Sequence, residues 1–105
     1  MHIMFVCIGN ICRSPMGELL LTRYLSGTTV QVSSAGTHGL PMHQIDPNSA
    51  LLMESVGIEP SGFRSRRLTQ PMAKSADLIL CFEKDQRKDI VTLAPTVVKY
   101  TFLLS

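Results

Sequence analysis

A thiol and a guanidinium lie close together near the N-terminus, in residues 7–14, which we call the anion loop. Cys7 begins the loop and Arg13 lies near its end, with Gly9 and Asn10 between them. A free thiol has a pKa of about 8.5, and a helix N-terminus or a nearby cation lowers that value. Arginine presents a planar fork of N–H donors that matches two phosphoryl oxygens. The pattern predicts a site for a phosphate-like anion that also contains a nucleophile, and therefore phosphoryl transfer through a cysteine.

The other residues of the anion loop suit the same chemistry. Gly9 lets the backbone approach an anion without a clashing Cβ atom, and Asn10 tolerates the left-handed conformation that a tight nest of amides needs. Ser14 can either donate a hydrogen bond to the thiolate or cap the helix that follows. For Cys7 alone, a buried structural thiol is the commoner role. The matched neighbours favour a functional one.

The elements on either side of the loop are those that build anion sites. An apolar run at residues 3–8 predicts a buried strand, and Ser14-Pro15 opens a helix that extends to Leu25. Leu19, Leu20 and Tyr24 recur at helical spacing and are expected to face the core. A strand that leads through a glycine-containing loop into a helix gathers backbone amides at the helix N-terminus.

The rest of the chain alternates strands with helices. Further strands are predicted at residues 28–33, 77–82 and 97–102, and helices are predicted after Asp46-Pro47, at Gln70-Pro71 and at residues 83–93. Apolar strands separated by helices indicate a parallel sheet with both faces covered. Ligands bind such sheets at the carboxyl ends of the strands, which is where Cys7 lies.

Composition bounds the class of protein. The chain has 105 residues, 45% of them hydrophobic and 17% charged, which is typical of one globular domain covering residues 1–105. A net charge of +2 gives no argument for nucleic acid, and neither a membrane-spanning run nor a signal segment is found. Three cysteines do not form a disulfide framework, so we expect a cytoplasmic chain with reactive or buried thiols, and a buried Cys81.

The sequence Cys-Ile-Gly-Asn-Ile-Cys-Arg-Ser-Pro at residues 7–15 resembles the low-molecular-weight protein tyrosine phosphatase family. Ser33–Thr37, Asp46-Pro47, Gly62–Thr69 and Ala76–Leu80 extend the resemblance over essentially the whole chain. It implies a single three-layer α/β domain. The sheet would have four parallel strands in the order 2-1-3-4, with helices on both faces and the anion loop after strand 1.

The resemblance also implies roles for the loop residues. Cys7 would be the catalytic nucleophile that forms a phosphocysteine, and Arg13 would bind the phosphoryl oxygens together with the amides of residues 8–13. The substrate-binding set would be Ile8, Gly9, Asn10, Ile11, Cys12 and Ser14. Ser14 would stabilise the thiolate, Asn10 would maintain the shape of the loop, and Cys12 would trap an oxidised Cys7 as a disulfide.

The same resemblance gives expectations about partners. The substrate would be a phosphorylated protein or a small aryl phosphate, and inorganic phosphate or sulfate would bind in the loop. Neither a metal nor a cofactor is expected, and neither nucleic acid nor a membrane is an expected partner.

One departure concerns the general acid. In the family this is an aspartate in an Asp-Pro motif beyond the last strand. The chain ends at Ser105 without it, and Asp46-Pro47 is expected to cap a helix. General acid catalysis contributes typically 10²–10⁴-fold, so we expect slowed hydrolysis that persists best for good leaving groups. A sheet face left uncovered by the same segment predicts a homo-oligomer.

Smaller departures leave other functions open. Phe63 stands where many members have histidine, so Asn10 must be held in another way, to which Ser34 could contribute. Residues 37–43 lack a large aromatic side chain and offer Leu40 and the exposed histidines His38 and His43 instead, so selectivity for phosphotyrosine is open. The basic stretch at residues 64–67 is either a solvated surface or a steering charge. The alternatives are a non-catalytic phosphate-binding or phosphotyrosine-binding module and, less favoured because only Cys81 is left for a relay, a thiol-linked arsenate reductase.

Overall fold

A computed structural model describes residues 1–39 and 41–104 of the chain. The strands are β1 (His2–Cys7), β2 (Gln31–Gly36), β3 (Leu78–Cys81) and β4 (Thr101–Leu103). The helices are α1 (Arg13–Tyr24), α2 (Pro47–Ser55), α3 (Gln70–Ser75) and α4 (Lys84–Leu93), followed by a 3₁₀ helix at Pro95–Tyr100. All strand pairs are parallel and their order is β2-β1-β3-β4, which confirms the predicted fold class.

Strand β1 is central and is buried on both faces. Met4 and Val6 lie in the main apolar cluster with Ala73 of α3 and Ile90 of α4. Phe5 points the opposite way, since side chains alternate along a strand, and its ring lies against Gly17 of α1. Helices therefore cover both faces of the sheet, and the carboxyl end of β1 opens between them.

The inward face of α1 differs from the prediction. Leu20 is 46% exposed and Tyr24 is 84% exposed, so placing them in the core was wrong. Leu19 does pack inward, against a second small cluster formed by Ile45, Met53 and Phe63. Leu20 and Tyr24 instead line an open depression with Val56 and Ile58.

Two predicted strands are shifted along the chain. The strand predicted at 28–33 begins only at Gln31, because the chain first turns at Gly27, which has a φ of 86°. The strand predicted at 97–102 is reduced to Thr101–Leu103. Residues 95–100 form the 3₁₀ helix instead, which Pro95 starts and in which Val97 is buried. The β-branched valines suggested a strand, but Val97 packs into the main apolar cluster while Val98 is 39% exposed.

The second helix begins as predicted. The Asp46 side chain accepts hydrogen bonds from the backbone N–H groups of Asn48 and Ser49, at 3.1 and 3.2 Å, so Asp46 is an N-cap. Its own backbone N–H donates to the carbonyl oxygen of Ile11 at 2.6 Å, which ties α2 to the anion loop. Within the described part of the chain, no helix has the length and apolar character needed to cross a bilayer.

Candidate active site

Cys7 is the last residue of β1 and is buried, with 4% of its surface exposed. Its Sγ atom lies 2.8 Å from Oγ of Ser14 and accepts a hydrogen bond from the backbone N–H of Asn10 at 3.2 Å. Of the two roles open to Ser14, the contact with the sulfur is the one observed. The N-cap of α1 is Cys12, whose side chain makes no capping bond, and the helix begins at Arg13. The geometry leaves a sulfur atom at the base of the loop that accepts one backbone N–H and contacts one hydroxyl.

The backbone of the anion loop is anchored through its carbonyl groups. The carbonyl oxygens of Cys7 and Ile8 accept from the N–H groups of Thr37 and His38, each at 2.9 Å. Among the described residues, the N–H groups of Gly9, Ile11 and Cys12 have no protein acceptor. The first-turn amides of a helix also lack partners within the helix. The loop therefore offers a set of free N–H donors beside the Cys7 sulfur, which is an arrangement that binds anions.

Asn10 connects the loop to the rest of the molecule. It is fully buried and has a φ of 56°, the left-handed conformation expected from the sequence. Its Nδ2 donates to the hydroxyls of Ser14 and Ser34, at 2.9 and 2.8 Å, and its Oδ1 accepts from the backbone N–H of Arg66 at 2.7 Å. These contacts hold Asn10 without a histidine at position 63, where the Phe63 ring is buried in the second apolar cluster.

The chain of hydrogen bonds continues from Ser34 to Glu18 of α1. The Ser34 hydroxyl donates to the carboxylate of Glu18 at 2.8 Å. Because Nδ2 of Asn10 donates to both serines, their own protons are free to point to Glu18 and to the Cys7 sulfur. Burial raises the pKa of Glu18, opposed by the hydrogen bond from Ser34 and the charge of Arg66. Sequence reasoning missed Glu18, although it lies one helical turn after Ser14 on the same face of α1.

Arg13 lies at the entrance and contacts a carboxylate. Its Nη2 is 2.7 Å from Oε1 of Glu83, and its guanidinium carbon lies 5.2 Å from the centre of the Phe82 ring. Both charged side chains are about half exposed, at 44% and 53%. Glu83 was not among the predicted site residues. The available signal was its position just after β3, because the carboxyl ends of neighbouring parallel strands meet at one edge.

The remaining predicted residues lie around this centre. Ile8 and Ile11 are 50% and 39% exposed, so they form an apolar rim. Cys12 is exposed, and its Sγ accepts a bond from the Ser49 hydroxyl at 3.4 Å. Cys81 is fully buried as expected, and burial raises the pKa of its thiol.

The two loop histidines are exposed, as predicted. His38 and His43 line a shallow depression beside the anion loop together with Gly9 and Ile11. In residues 1–39 and 41–104, no group of three or more His, Cys, Asp or Glu side chains is arranged to bind a metal ion. Leu40, named above together with these two histidines, lies outside the described residues.

The comparisons with family profiles and with known proteins agree on one family. The profile described as low molecular weight phosphotyrosine protein phosphatase matches residues 2–104. The low molecular weight protein-tyrosine-phosphatase Etp of Escherichia coli K12 is 44% identical over 101 residues, which cover 96% of this chain and 67% of Etp. This chain therefore spans about two thirds of the length of that relative.

Solved structures give the same result. The tyrosine phosphatase Wzb from Escherichia coli K30, in complex with sulphate, superposes with a TM-score of 0.89 at 35% identity, covering 97% of this chain and 70% of Wzb. The arginine phosphatase YwlE, as a mutant with a phosphorylated active-site serine, gives a TM-score of 0.91 at 30% identity, covering 98% of this chain and 68% of YwlE.

Proposed function

The chain belongs to the low molecular weight phosphotyrosine protein phosphatase family, and we propose that it hydrolyses phosphomonoesters through a phosphocysteine on Cys7. The observation that carries the proposal is the environment of the Cys7 sulfur. It accepts a hydrogen bond from Asn10, contacts the Ser14 hydroxyl, and lies beside loop amides that have no acceptor in the described chain. A buried structural cysteine would need none of these features.

The proposed reaction has two steps. The Cys7 sulfur attacks phosphorus, so that an S–P bond forms while the bond from phosphorus to the leaving oxygen breaks, and the released oxygen takes up a proton. Water then attacks the phosphocysteine, releases inorganic phosphate and regenerates the thiol. The loop amides and the Arg13 guanidinium bind the phosphoryl oxygens in both steps, where their charge favours the transition states.

Arg13 must leave Glu83 to bind a phosphoryl group in this scheme. The pair is half exposed, and exposed ion pairs contribute only about 0–1 kcal/mol, so its loss costs little. A bidentate contact with the doubly charged phosphoryl group replaces it. Glu83 therefore keeps Arg13 close to the loop without competing strongly with substrate.

The proposed substrate class is an aryl phosphate such as phosphotyrosine. The exposed side chains of Ile8 and Ile11 at the rim suit an apolar ring, and the relative Etp is named a tyrosine phosphatase. The similarity to YwlE makes phosphoarginine the alternative. Comparing kcat/KM for phosphotyrosine and phosphoarginine peptides of one sequence decides between them.

Protonation of the leaving group is where we expect this chain to be slow. Three carboxylates close to the anion loop each have another partner in the structure. Glu83 pairs with Arg13, Asp46 caps α2, and Glu18 accepts from the Ser34 hydroxyl at 2.8 Å. We therefore propose that hydrolysis depends strongly on the acidity of the leaving group.

A series of aryl phosphates with leaving groups of different pKa tests this proposal on the 105-residue chain. The expected result is a kcat that falls steeply as the pKa of the leaving phenol rises, and no turnover by Cys7→Ser. A fast rate that is independent of the leaving group contradicts the proposed slow protonation. Phosphate binding without turnover of any aryl phosphate would favour the non-catalytic binding module instead.

The arsenate reductase alternative has less support. A relay from Cys7 needs later thiols that can reach the site, and Cys81 is fully buried with its Sγ against the carbonyl oxygen of Phe102 at 3.5 Å. Oxidation of a thiol reductant that requires both arsenate and Cys81 would reverse this preference.

A disulfide between Cys7 and Cys12 is proposed as protection against oxidation. Peroxide would convert the Cys7 thiolate to a sulfenic acid, and the exposed Cys12 thiol would then form the disulfide and release water. Activity lost to peroxide should return with dithiothreitol in the native chain and in Cys81→Ser, but much less in Cys12→Ser.

Self-association and a cytoplasmic location stay predictions. The exposed apolar side chains of β4, Phe102 and Leu103, are the surface on which a second copy would pack. Light scattering at tens of micromolar protein should give a molar mass larger than that of a monomer, and Phe102→Ser should lower that molar mass. Cell fractionation tests the location.

A further inference from the structure

An open groove lies beside the anion loop, between the end of β2 and helix α4. Its volume is about 300 Å³, and Thr37, His38, Arg67, Asp89 and Thr92 are among the residues that line it. That volume is at the lower end of the range for sites that bind small molecules. The groove has room for one or two side chains of a bound peptide but not for a folded partner.

The groove is continuous with the candidate active site. Its near end is formed by Thr37 and His38, whose backbone N–H groups donate to the carbonyl oxygens of Cys7 and Ile8. His38 also lines the shallow depression that contains Gly9 and Ile11 of the loop. The groove therefore begins about one strand spacing, roughly 5 Å, from the backbone of the nucleophile. A peptide phosphorylated at the loop would have its neighbouring residues within reach of the groove.

Arg67 provides a positive charge that the protein itself does not use. The guanidinium of Arg64 donates to the carbonyl oxygens of Ser61 and Phe63, and that of Arg66 donates to the carbonyl oxygen of Ser34. Arg67 is exposed, and its guanidinium has neither a hydrogen bond nor an ion pair with any described residue. Its backbone is fixed, because Arg67 forms a parallel bridge with Gly36 at the end of β2.

The other charged groups of the groove do not neutralise Arg67. Asp89 of α4 is the one carboxylate among the described lining residues, and its Oδ2 lies 3.9 Å from Nδ1 of His38. Among the described residues, no ion pair joins Asp89 to Arg67. The groove thus offers a fixed cation beside the loop, with a carboxylate and an imidazole facing it.

We propose that this groove binds the polypeptide that flanks the phosphorylated residue of a protein substrate, and that Arg67 selects an acidic side chain in that segment. The proposal rests on the proposed phosphatase function and names its substrate class as a phosphopeptide with a Glu or Asp near the phosphorylated residue. Charge complementarity with Arg67 and continuity with the anion loop are the two observations that identify this occupant. Small aryl phosphates lack the flanking acidic side chain that Arg67 would contact.

The test compares three phosphotyrosine peptides that differ only in flanking Glu, Gln or Lys, together with 4-nitrophenyl phosphate. Arg67→Gln is the test variant and Arg64→Gln is the matched control, since Arg64 lies three residues away and outside the groove. The native chain and Arg64→Gln should prefer the Glu peptide over the Gln peptide by about two- to fivefold in kcat/KM, the range for one exposed ion pair, chiefly through KM. Arg67→Gln should lose this preference, and Asp89→Asn should increase it.

The rate on 4-nitrophenyl phosphate separates this proposal from the function on which it rests. All variants should hydrolyse it equally. Equal kcat/KM for the three peptides, or an equal loss in both arginine variants, would overturn the groove proposal. The groove proposal would also be overturned if Arg67→Gln lowered kcat/KM for 4-nitrophenyl phosphate as much as for the Glu peptide. If neither the native chain nor any variant hydrolyses 4-nitrophenyl phosphate, the proposed function fails. The groove is then tested by calorimetric binding of the same peptides to Cys7→Ser, which should bind the Glu peptide more tightly than the Gln peptide and lose this preference when Arg67→Gln is added.

Discussion

Asn10 is the residue on which the shape of the candidate site depends most. Its amide joins two serines and the backbone of Arg66 while its own backbone stays left-handed. Removing a partner from a buried polar group costs roughly 1–3 kcal/mol. A substitution here therefore tests both the hydrogen bonds and the conformation.

Replacing Asn10 by glycine or by alanine separates these two effects. Asn10→Gly keeps the left-handed backbone and removes the amide, so we expect a large loss of kcat on aryl phosphates and a stability loss of roughly 1–3 kcal/mol. Asn10→Ala should be less stable than Asn10→Gly by a further ~1 kcal/mol, because a Cβ atom disfavours positive φ. Urea unfolding measures the free energy of unfolding of each variant, and 4-nitrophenyl phosphate kinetics measure its kcat. Equal stability of the two variants would mean that the backbone of the loop relaxes away from the positive φ at position 10, which contradicts the expected difference.

Glu18 makes the stability of the folded protein depend on pH. Burial raises its pKa above the ordinary value of 4.5, against the hydrogen bond from Ser34 and the charge of Arg66. The folded protein then binds more protons than the unfolded chain between 4.5 and the raised pKa. Stability therefore falls as pH rises through that window, because a buried carboxylate must ionise.

Glu18→Gln should remove this fall. The Gln carbonyl can still accept from Ser34 but does not ionise, so the stability of the variant relative to the native chain should rise from pH 4.5 to pH 7.5. Urea unfolding at several pH values measures the difference, with Glu54→Gln as a control for an exposed glutamate on α2. Parallel stability curves for Glu18→Gln and the native chain would show that the carboxyl is better solvated than its contacts indicate.

At the residue scale, the sequence predicted the reactive groups but not their partners. Cys7, Arg13 and Asn10 were identifiable because their chemistry is local to one loop. Glu83 and Arg66 come from distant segments, and their contacts depend on strand order and on a bridge at Gly36. Neither spacing nor composition specifies such contacts.

The end of β2 is the element that sets the position of the anion loop. A Cβ atom on Gly36 would lie 2.5 Å from the carbonyl oxygen of Ile8 and 2.9 Å from the backbone nitrogen of Asn10. Both are backbone atoms of the loop, and the strand pairs Gly36 with Cys7. An added methyl group would therefore displace the anion-binding backbone itself.

Gly36→Ala is expected to lower kcat/KM by about 10²-fold, the effect of misplacing catalytic groups by about 1 Å. Gly62→Ala is the matched control, because nothing lies within 4 Å of its added Cβ atom. Kinetics with 4-nitrophenyl phosphate and titration with inorganic phosphate measure the loss. Activity of Gly36→Ala equal to that of Gly62→Ala would show that the loop moves without affecting the site.

Element types and order were easier to predict than which faces are buried. Apolar runs and the Asp46 cap identified β1, β3 and α2, and the alternation of strands with helices implied a parallel sheet. The exposed faces of Leu20 and Tyr24 and the 3₁₀ helix at Pro95–Tyr100 depend on tertiary packing. Helical spacing alone cannot distinguish a leucine that packs inward, such as Leu19, from one that stays exposed, such as Leu20.

At the scale of the whole molecule, the anion loop joins several parts of the fold. It links β1 to α1, its carbonyls receive N–H groups from residues 37, 38 and 46, and Asn10 connects it to Arg66. An anion that binds the free loop amides binds only the folded chain. Binding should therefore stabilise the entire domain by mass action.

Inorganic phosphate should raise the melting temperature of the native chain. At about ten times its Kd, the stabilisation is RT ln 11, roughly 1.4 kcal/mol, which corresponds to about 5–10 °C for a domain of this size. Arg13→Lys keeps the charge but loses the planar fork, so its shift should be clearly smaller. Gly36→Ala should lose most of the shift, and Gly62→Ala should keep it.

Sodium chloride at equal ionic strength controls for general salt effects in this experiment. Breaking the exposed Arg13–Glu83 pair by the lysine substitution changes stability by no more than about 1 kcal/mol, so the native fold remains for comparison. The quantity that matters is the shift caused by phosphate in each variant, not its starting melting temperature. Equal shifts in the native chain, Arg13→Lys and Gly36→Ala would mean that phosphate stabilises the protein elsewhere, and that the loop amides and Arg13 are not its binding site.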